Sequence, residues 1–360
     1  MGSVPVRSFS GSSSGSGSAQ LASAGGGWRR SGGMRRRRPI RSLLVVALAA
    51  ATLAGVAVPT TSAAAGPQGC RIFPRSSFWY ADVSGLPVHK RSDAWIATMG
   101  ADRNAHADFG SGRWNGGPIG IPITRVGANQ PPVAVDFHYA AESDPGPYPI
   151  PGNVRIEGGR RASGDRHAIV LQKSTCTLYE VFDAQPNPDG TWRGGSGAVY
   201  DLRSNELRPD TWTSADASGL PIMPGLVRYP EVARGEITHA IRMTAPVTRR
   251  HHIWPARHDA GSTGRLGAPP MGAWIRLKAD VDPADFPPQA RVIVEALQTH
   301  GAIIVDNGSA FFLSGAPSRN WDNDDLHALH RLSGDDFEFV RAGRMKVDPD
   351  SAAVKRRFRS

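Results

Sequence analysis

The chain lacks the short signatures of several large enzyme families. Beyond residue 65 it has no Gly-x-Ser-x-Gly elbow, no Walker loop and no dinucleotide fingerprint, so neither a strand-to-helix nucleophile turn nor a nucleotide cofactor is implied. No internal repeat occurs, which excludes a solenoid or a propeller array. Apart from one apolar stretch, Leu43 to Val58, nothing is apolar enough to cross a membrane. Acidic residues are missing altogether from residues 1 to 65, which hold eight arginines. Taking those eight from the formal charge of +10 leaves +2; the stretch 341–360 carries +5, so residues 66–340 are near −3. The basic charge therefore sits at the two ends, with no basic stripe between aromatic residues in the body, and nucleic acid is set aside as a partner.

The one apolar stretch has a definite context. Arg35, Arg36, Arg37 and Arg38 precede it and Thr61-Ser62-Ala63-Ala64-Ala65 follow it. A cationic n-region, a short apolar core and small residues before a cut after Ala63 or Ala65 describe a secretory signal peptide. Arg37-Arg38 is followed by Pro39-Ile40 rather than by the twin-arginine pattern, so Sec export is expected. Residues 1–33 are Gly- and Ser-rich and precede Met34, the expected initiator, which makes 34–65 the signal peptide. Residues 66–340 then form a single exported domain, expected to be a monomer free of the membrane, and 341–360 a basic, disordered tail. Only two cysteines occur, Cys70 and Cys176. In an oxidising compartment they are expected to pair; the alternative, a lipid anchor at Cys70, lacks a lipobox in Pro67-Gln68-Gly69.

The clearest segments are short and β-rich: 121–126, 133–139, 167–172, 177–183, 197–202, 236–244 and 273–278. Two helices follow. One starts at Pro287-Pro288, carries Val292, Ile293, Ala296 and Leu297 on one face and stops at Gly301; the other opens on Trp321 to Asp325, whose aspartates read as caps. Between them, Asp306-Asn307-Gly308-Ser309 reads as the turn of a hairpin. The expected fold is mainly β, a β-sandwich of jelly-roll type with a few helices toward the C-terminal end.

Titratable groups crowd between Trp212 and Asp259. A strand from Glu236 would put Ile237, His239, Ile241 and Met243 on one face and Glu236, Thr238 and Arg242 on the other. Glycoside hydrolysis needs two carboxyl groups, and Asp216 and Glu236 are the expected pair, with His239 as a third catalytic candidate. Trp212, Tyr229, Arg242, Trp254, Arg257 and His258 are expected to bind substrate. His251, His252, His258 and Asp259 have no metal-ligand spacing, so no metal is expected there. Farther upstream, Glu142 and Asp144 are candidates to cradle Ca²⁺ or to accept sugar hydroxyls, and Tyr139 and Tyr148 to stack on sugar faces.

The blocks Glu142 to Pro151, Gly164-Asp165-Arg166-His167, Leu178-Tyr179-Glu180, Trp212 to Tyr229 and Asp306-Asn307-Gly308-Ser309 resemble those of a family of secreted proteins. That family is common in actinobacteria and other soil bacteria and often occurs beside carbohydrate-binding modules. The resemblance spans roughly 73–340 and implies an exported single domain in a polysaccharide-rich setting; it carries over no catalytic residue. The expectation is a secreted carbohydrate-active enzyme, hydrolase or lyase, acting on an extracellular polysaccharide. The alternatives are a non-catalytic sugar-binding or adhesion module and a metal-dependent hydrolase.

Overall fold

A computed structural model describes residues 70–359. The expected signal peptide and the low-complexity extension before it lie outside the described residues. The described chain is β-rich with few helices. Ten strands make the two larger sheets: β1 (His106–Asp108), β2 (Ile123–Val126), β3 (Ala168–Gln172), β4 (Thr177–Val181), β5 (Gly197–Asp201), β6 (Ile241–Ala245), β7 (Trp274–Leu277), β8 (Ala302–Asn307), β9 (Phe312–Ser314) and β10 (Phe337–Val340). The six-stranded sheet has the order β1-β9-β6-β8-β7-β10 and the four-stranded sheet β5-β4-β3-β2. Parallel neighbours occur in both, β1 with β9, β6 with β8 and β2 with β3. These pairings depart from the all-antiparallel pattern of the expected jelly roll.

Side-chain alternation explains how the layers stack. On β8, Ala302 and Ile304 join one apolar cluster while Ile303 and Val305 join another. The first cluster is roofed by the helix α2 (Pro288–Thr299) through Ile293, Val294 and Leu297, and it also receives Trp95, Ile96 and Met99 of α1 (Ser92–Met99). The second lies between the sheets, where Trp274, Ile303 and Val305 share a cluster with Ile169, Leu171 and Leu178. Val170 and Val181 face a third cluster around Phe137, Tyr148 and Trp192. Both larger sheets are thus buried on two faces, which suits their Ile- and Val-rich runs.

The helix signals are met. Gly301 stands at φ +66 after α2 and its N–H donates to the Ala296 carbonyl, the left-handed stop that glycine permits. In α3 (Asn323–His327), Asp322 accepts from the amides of Asp324 and Asp325. Asp325 itself caps the other helix, accepting from the Gln289 and Ala290 amides at 2.9 and 2.7 Å, where Pro287 and Pro288 bring no N–H of their own.

Three expectations are corrected. Strand β6 begins at Ile241, so Glu236 to Ala240 are not a strand and the two alternating faces, His239 on one and Glu236 and Thr238 on the other, do not exist there. Asn307-Gly308 does not close a hairpin, because β6 lies between β8 and β9 in the sheet. The tail is not disordered: Ala342, Met345, Ala352 and Val354 are buried, and Ser77 bridges Ala353 while Ala81 bridges Arg359. Its apolar residues, spaced between the basic ones, give it a core to join. The expected disulfide between Cys70 and Cys176 is present, closing a sequence separation of 106. Among the described residues no helix is long and apolar enough to cross a membrane.

Candidate active site

Arg242 organises the polar interior. With Ile241 and Met243 turned into the helix-covered cluster, alternation turns Arg242 to the opposite face of β6. A register shift after Met243 brings Asp306, not Val305, opposite Thr244, and this slip places the Asp306 carboxylate within reach of the arginine. The guanidinium donates to both Asp216 oxygens (2.8 and 3.0 Å), to Asp306 (2.7 Å) and to the Ser314 hydroxyl (2.7 Å). Its pKa is held above the ordinary value: burial opposes the charge, but the Asp216 and Asp306 carboxylates prevail. Burial and the charge of Asp216 push the Asp306 carboxyl up, against the pull of Arg242. Asp216 is fully buried behind this fork, a structural counter-ion with no route to a polymer.

The two expected catalytic carboxyls therefore do not form a pair across a cleft. Asp216 is inside and Glu236 is exposed, and neither lines the cavity described below. His239, also buried, has Nε2 3.3 Å from Glu231, whose other oxygen accepts from Arg228 at 2.5 Å. Burial works against ionisation of Glu231, yet the hydrogen bond from His239 and the charge of Arg228 hold its pKa down to about 2. His239 is thus a core histidine with a fixed partner.

The expected substrate-binding residues also have structural roles. Arg208 lies over the Trp212 ring at 5.5 Å and pairs with Asp144, whose carboxylate accepts from the Val199 amide as well. The Asp144 carboxylate is thus already paired with a guanidinium, and Glu142 lies 3.6 Å from His258 Nε2. Tyr148 is fully buried, donating to the Asp144 carbonyl, and offers no stacking face. Tyr229 packs edge-on against Trp321. Trp254 donates to the Ser351 carbonyl, and Arg257 to Arg208, Pro349 and Asp350, so both secure the tail. Among the described residues no group of three or more His, Cys, Asp or Glu could hold a metal ion.

A large cavity lies elsewhere, with a volume of about 660 Å³, and is lined by Asp108, Glu157, Asp165, His106, Trp114 and Asn323 among others. Asp108 ends β1, its backbone paired with Ser314, the residue that receives Arg242. Glu157 and His167 face each other across a loop, with His167 Nδ1 2.5 Å from Glu157 Oε2 and the Glu157 amide donating to the His167 carbonyl. His167 Nε2 is 3.0 Å from the Ala215 carbonyl. A carbonyl and a carboxylate only accept, so both ring nitrogens carry protons and the ring is an imidazolium. Burial opposes that charge, but Glu157 beside it raises the His167 pKa to about 9. Correspondingly, burial acts to raise the Glu157 carboxyl, and the charge and hydrogen bond of His167 bring it below its ordinary value. Asp108 shifts the other way. Asp108 keeps solvent-accessible surface, yet the surrounding walls strip part of its hydration, and that burial plus the Glu157 charge raises its pKa.

The walls are built by local chemistry. Arg166, buried and at φ +52, donates to the carbonyls of Arg160, Ala162 and Ala184 and so fixes the loop that carries Asp165. Opposite stands a small hairpin, Arg113–Trp114 with Gly117–Pro118. Its turn residues, Asn115 at φ +47 and Gly116 at φ +85, have the paired positive φ of a type I′ turn. Gly117 lies so close to the far wall that an added Cβ would be 2.0 Å from the Gly158 backbone. Trp114 is 73% exposed.

Of these side chains, only those of Asp165, Arg166 and His167 stood in a sequence block singled out beforehand, and none had been given a role. Asn115-Gly116 beside Trp114 was the legible signal for the cavity wall. Comparisons with protein-family models, with curated proteins and with solved structures find no match for this chain.

Proposed function

We propose that the protein is a secreted glycoside hydrolase that cleaves an extracellular polysaccharide in the cavity carrying Asp108, Glu157 and Trp114. The observation that carries this reading is the joint placement of two carboxyl groups and one largely exposed tryptophan in the walls of a single large cavity. An indole face at a cavity mouth is the usual platform for a sugar ring, and glycoside hydrolysis needs one carboxyl as proton donor and another ionised. Asp108, shifted upward, is the general acid; Glu157, kept ionised by His167, is the base or nucleophile. His167 holds the Glu157 carboxylate in place and does not touch substrate. This reading moves the catalytic pair from Asp216 and Glu236 to Asp108 and Glu157.

Export rests on the leader sequence together with the disulfide, which suits an oxidising compartment. The protein is read as a monomer that takes no cofactor. The test is release of reducing ends from a panel of soluble polysaccharides. Wild-type protein is expected to cleave at least one of them, and Glu157→Gln and Asp108→Asn each to lose activity by a factor on the order of 10² or more, with Asp108→Asn keeping the wild-type melting temperature and Glu157→Gln, which gives up the His167 ion pair, still folded at the assay temperature by circular dichroism. Cleavage that survives in both variants removes the assignment. Binding without cleavage by wild type favours the sugar-binding module instead.

A further inference from the structure

The cavity does not end at the Trp114 hairpin. Gly110 and Pro118, which line it, also line a second hollow of about 530 Å³ whose charged side chains are Arg113, Arg155 and Arg319. Arg155 in turn belongs to a third, of about 640 Å³, that adds Arg125. The three hollows are contiguous through shared residues. Their charge shifts along the way, from a first hollow that mixes Asp108, Glu157 and Asp165 with Arg161 and Arg166 to four arginines with no Asp or Glu lining either extension.

Several arginines elsewhere in this protein are engaged. Arg166, Arg208, Arg228, Arg242, Arg257 and Arg276 all donate to carbonyls or carboxylates. By contrast, the guanidinium groups of Arg125, Arg155 and Arg319 make no ion pair or hydrogen bond with any described residue. Arg113 reaches only the Gly116 carbonyl of its own turn. Free guanidinium forks facing one groove are suited to planar carboxylates, which they bind through two parallel hydrogen bonds.

Resting on the hydrolase reading above, we infer that Arg113, Arg155, Arg319 and Arg125 form an anion subsite for the uronate residues of an acidic polysaccharide. The charge pattern specifies the polymer further. The mixed charges of the first hollow give an anionic sugar no preference at the cleavage point, and the arginines attract one beyond it. The substrate is thus a polymer with uronic acids beyond the cut, such as one in which they alternate with neutral sugars.

Binding and cleavage can be measured separately. The full chain carrying Glu157→Gln is titrated calorimetrically with a soluble polymer alternating uronic acid and neutral hexose, then with the same polymer after reduction of its carboxyls to alcohols. The native polymer is expected to bind at least about tenfold more tightly than the reduced one, a difference of about 1.4 kcal/mol or more, with an advantage that shrinks as salt rises. Adding Arg155→Ala and Arg319→Ala is expected to weaken binding of the native polymer about tenfold and leave the reduced polymer unaffected, whereas Arg155→Lys and Arg319→Lys retain part of it. Equal binding of the two polymers, or an unchanged affinity in the double alanine variant, overturns the subsite. So does equal competition by single-stranded DNA, which would mark an unselective anion groove. Failure of the hydrolase reading shows differently: binding follows the arginines, but the protein with Glu157 intact releases no reducing ends.

Discussion

Replacing Arg242 by methionine is the sharpest test of how the polar interior is held. The substitution keeps roughly the same length of side chain but removes two hydrogen bonds to Asp216, one to Asp306 and one to Ser314. Asp216 is fully buried and Asp306 only 20% exposed, so two carboxylates lose their counter-charge where water cannot replace it. Breaking a buried pair by removing one partner costs about 3–5 kcal/mol. The loss also has a pH signature. A carboxyl whose folded pKa lies above its unfolded one contributes stability below the unfolded value and loses it as pH rises through the folded value. Without the guanidinium the Asp306 carboxyl, already pushed up by burial, moves further in that direction, so the deficit relative to wild type is expected to be larger at pH 8 than at pH 5. Urea unfolding followed by tryptophan fluorescence, with the disulfide intact, measures it at both pH values. Arg242→Met combined with Asp216→Asn is expected to recover most of the loss, since the neutral amide no longer needs a partner. A deficit under about 1 kcal/mol at pH 8, or one that grows on acidification, refutes the view that the arginine is there to neutralise these acids.

Other consequences follow from the same physics. Cys70→Ala with Cys176→Ala opens a loop with a sequence separation of 106 and is expected to lower unfolding free energy by about 4–5 kcal/mol on the chain-entropy argument, read from denaturant midpoints under non-reducing conditions. His167, raised to about 9 by Glu157, contributes stability that is complete below about pH 6.5 and fades as pH rises through 9; the contribution is on the order of 3 kcal/mol, and His167→Asn should abolish that alkaline slope. Intact-mass measurement of protein recovered from the culture medium of an expressing bacterium is expected to place the mature N-terminus at Ala64 or Gly66, whereas a retained leader in cell-associated protein contradicts the export reading.

Much of the scaffold was legible because its signals are local. Pro287-Pro288 and Gly301 bounded a helix by missing donors and a positive φ, and the acidic run at 322–325 acted as caps because helix starts have spare amides. What the sequence could not disclose was strand neighbourhood. Asn307-Gly308 and Asn115-Gly116 are the same dipeptide, yet only the second closes a hairpin, because insertion of β6 between β8 and β9 is a long-range pairing that no turn residue encodes. The candidate site failed in the same way. Arg242 was legible as a polar residue on an otherwise apolar strand, but its charge is consumed internally by Asp216 and Asp306. Asp108, Glu157 and Asp165 are brought together by the ends of separate loops, and nothing in their spacing announces it. The tail was misjudged because its lysines and arginines outnumber its acids, while the four small or apolar side chains that anchor it are spread too thinly to show periodicity.

That tail has a consequence for how the molecule matures. Val354 donates to the Ser76 carbonyl, Phe78 to that of Ala352, and Asp82 to that of Phe358, so residues near the front of the described chain are satisfied only by residues near its back. A ribosome-bound or partly translocated chain has no way to close this seam, and its early segments stay unlatched until residues 351–359 arrive. On the export proposed above, late closure of this kind keeps the unfolded chain passable on the near side of a membrane pore and reserves assembly for the far side.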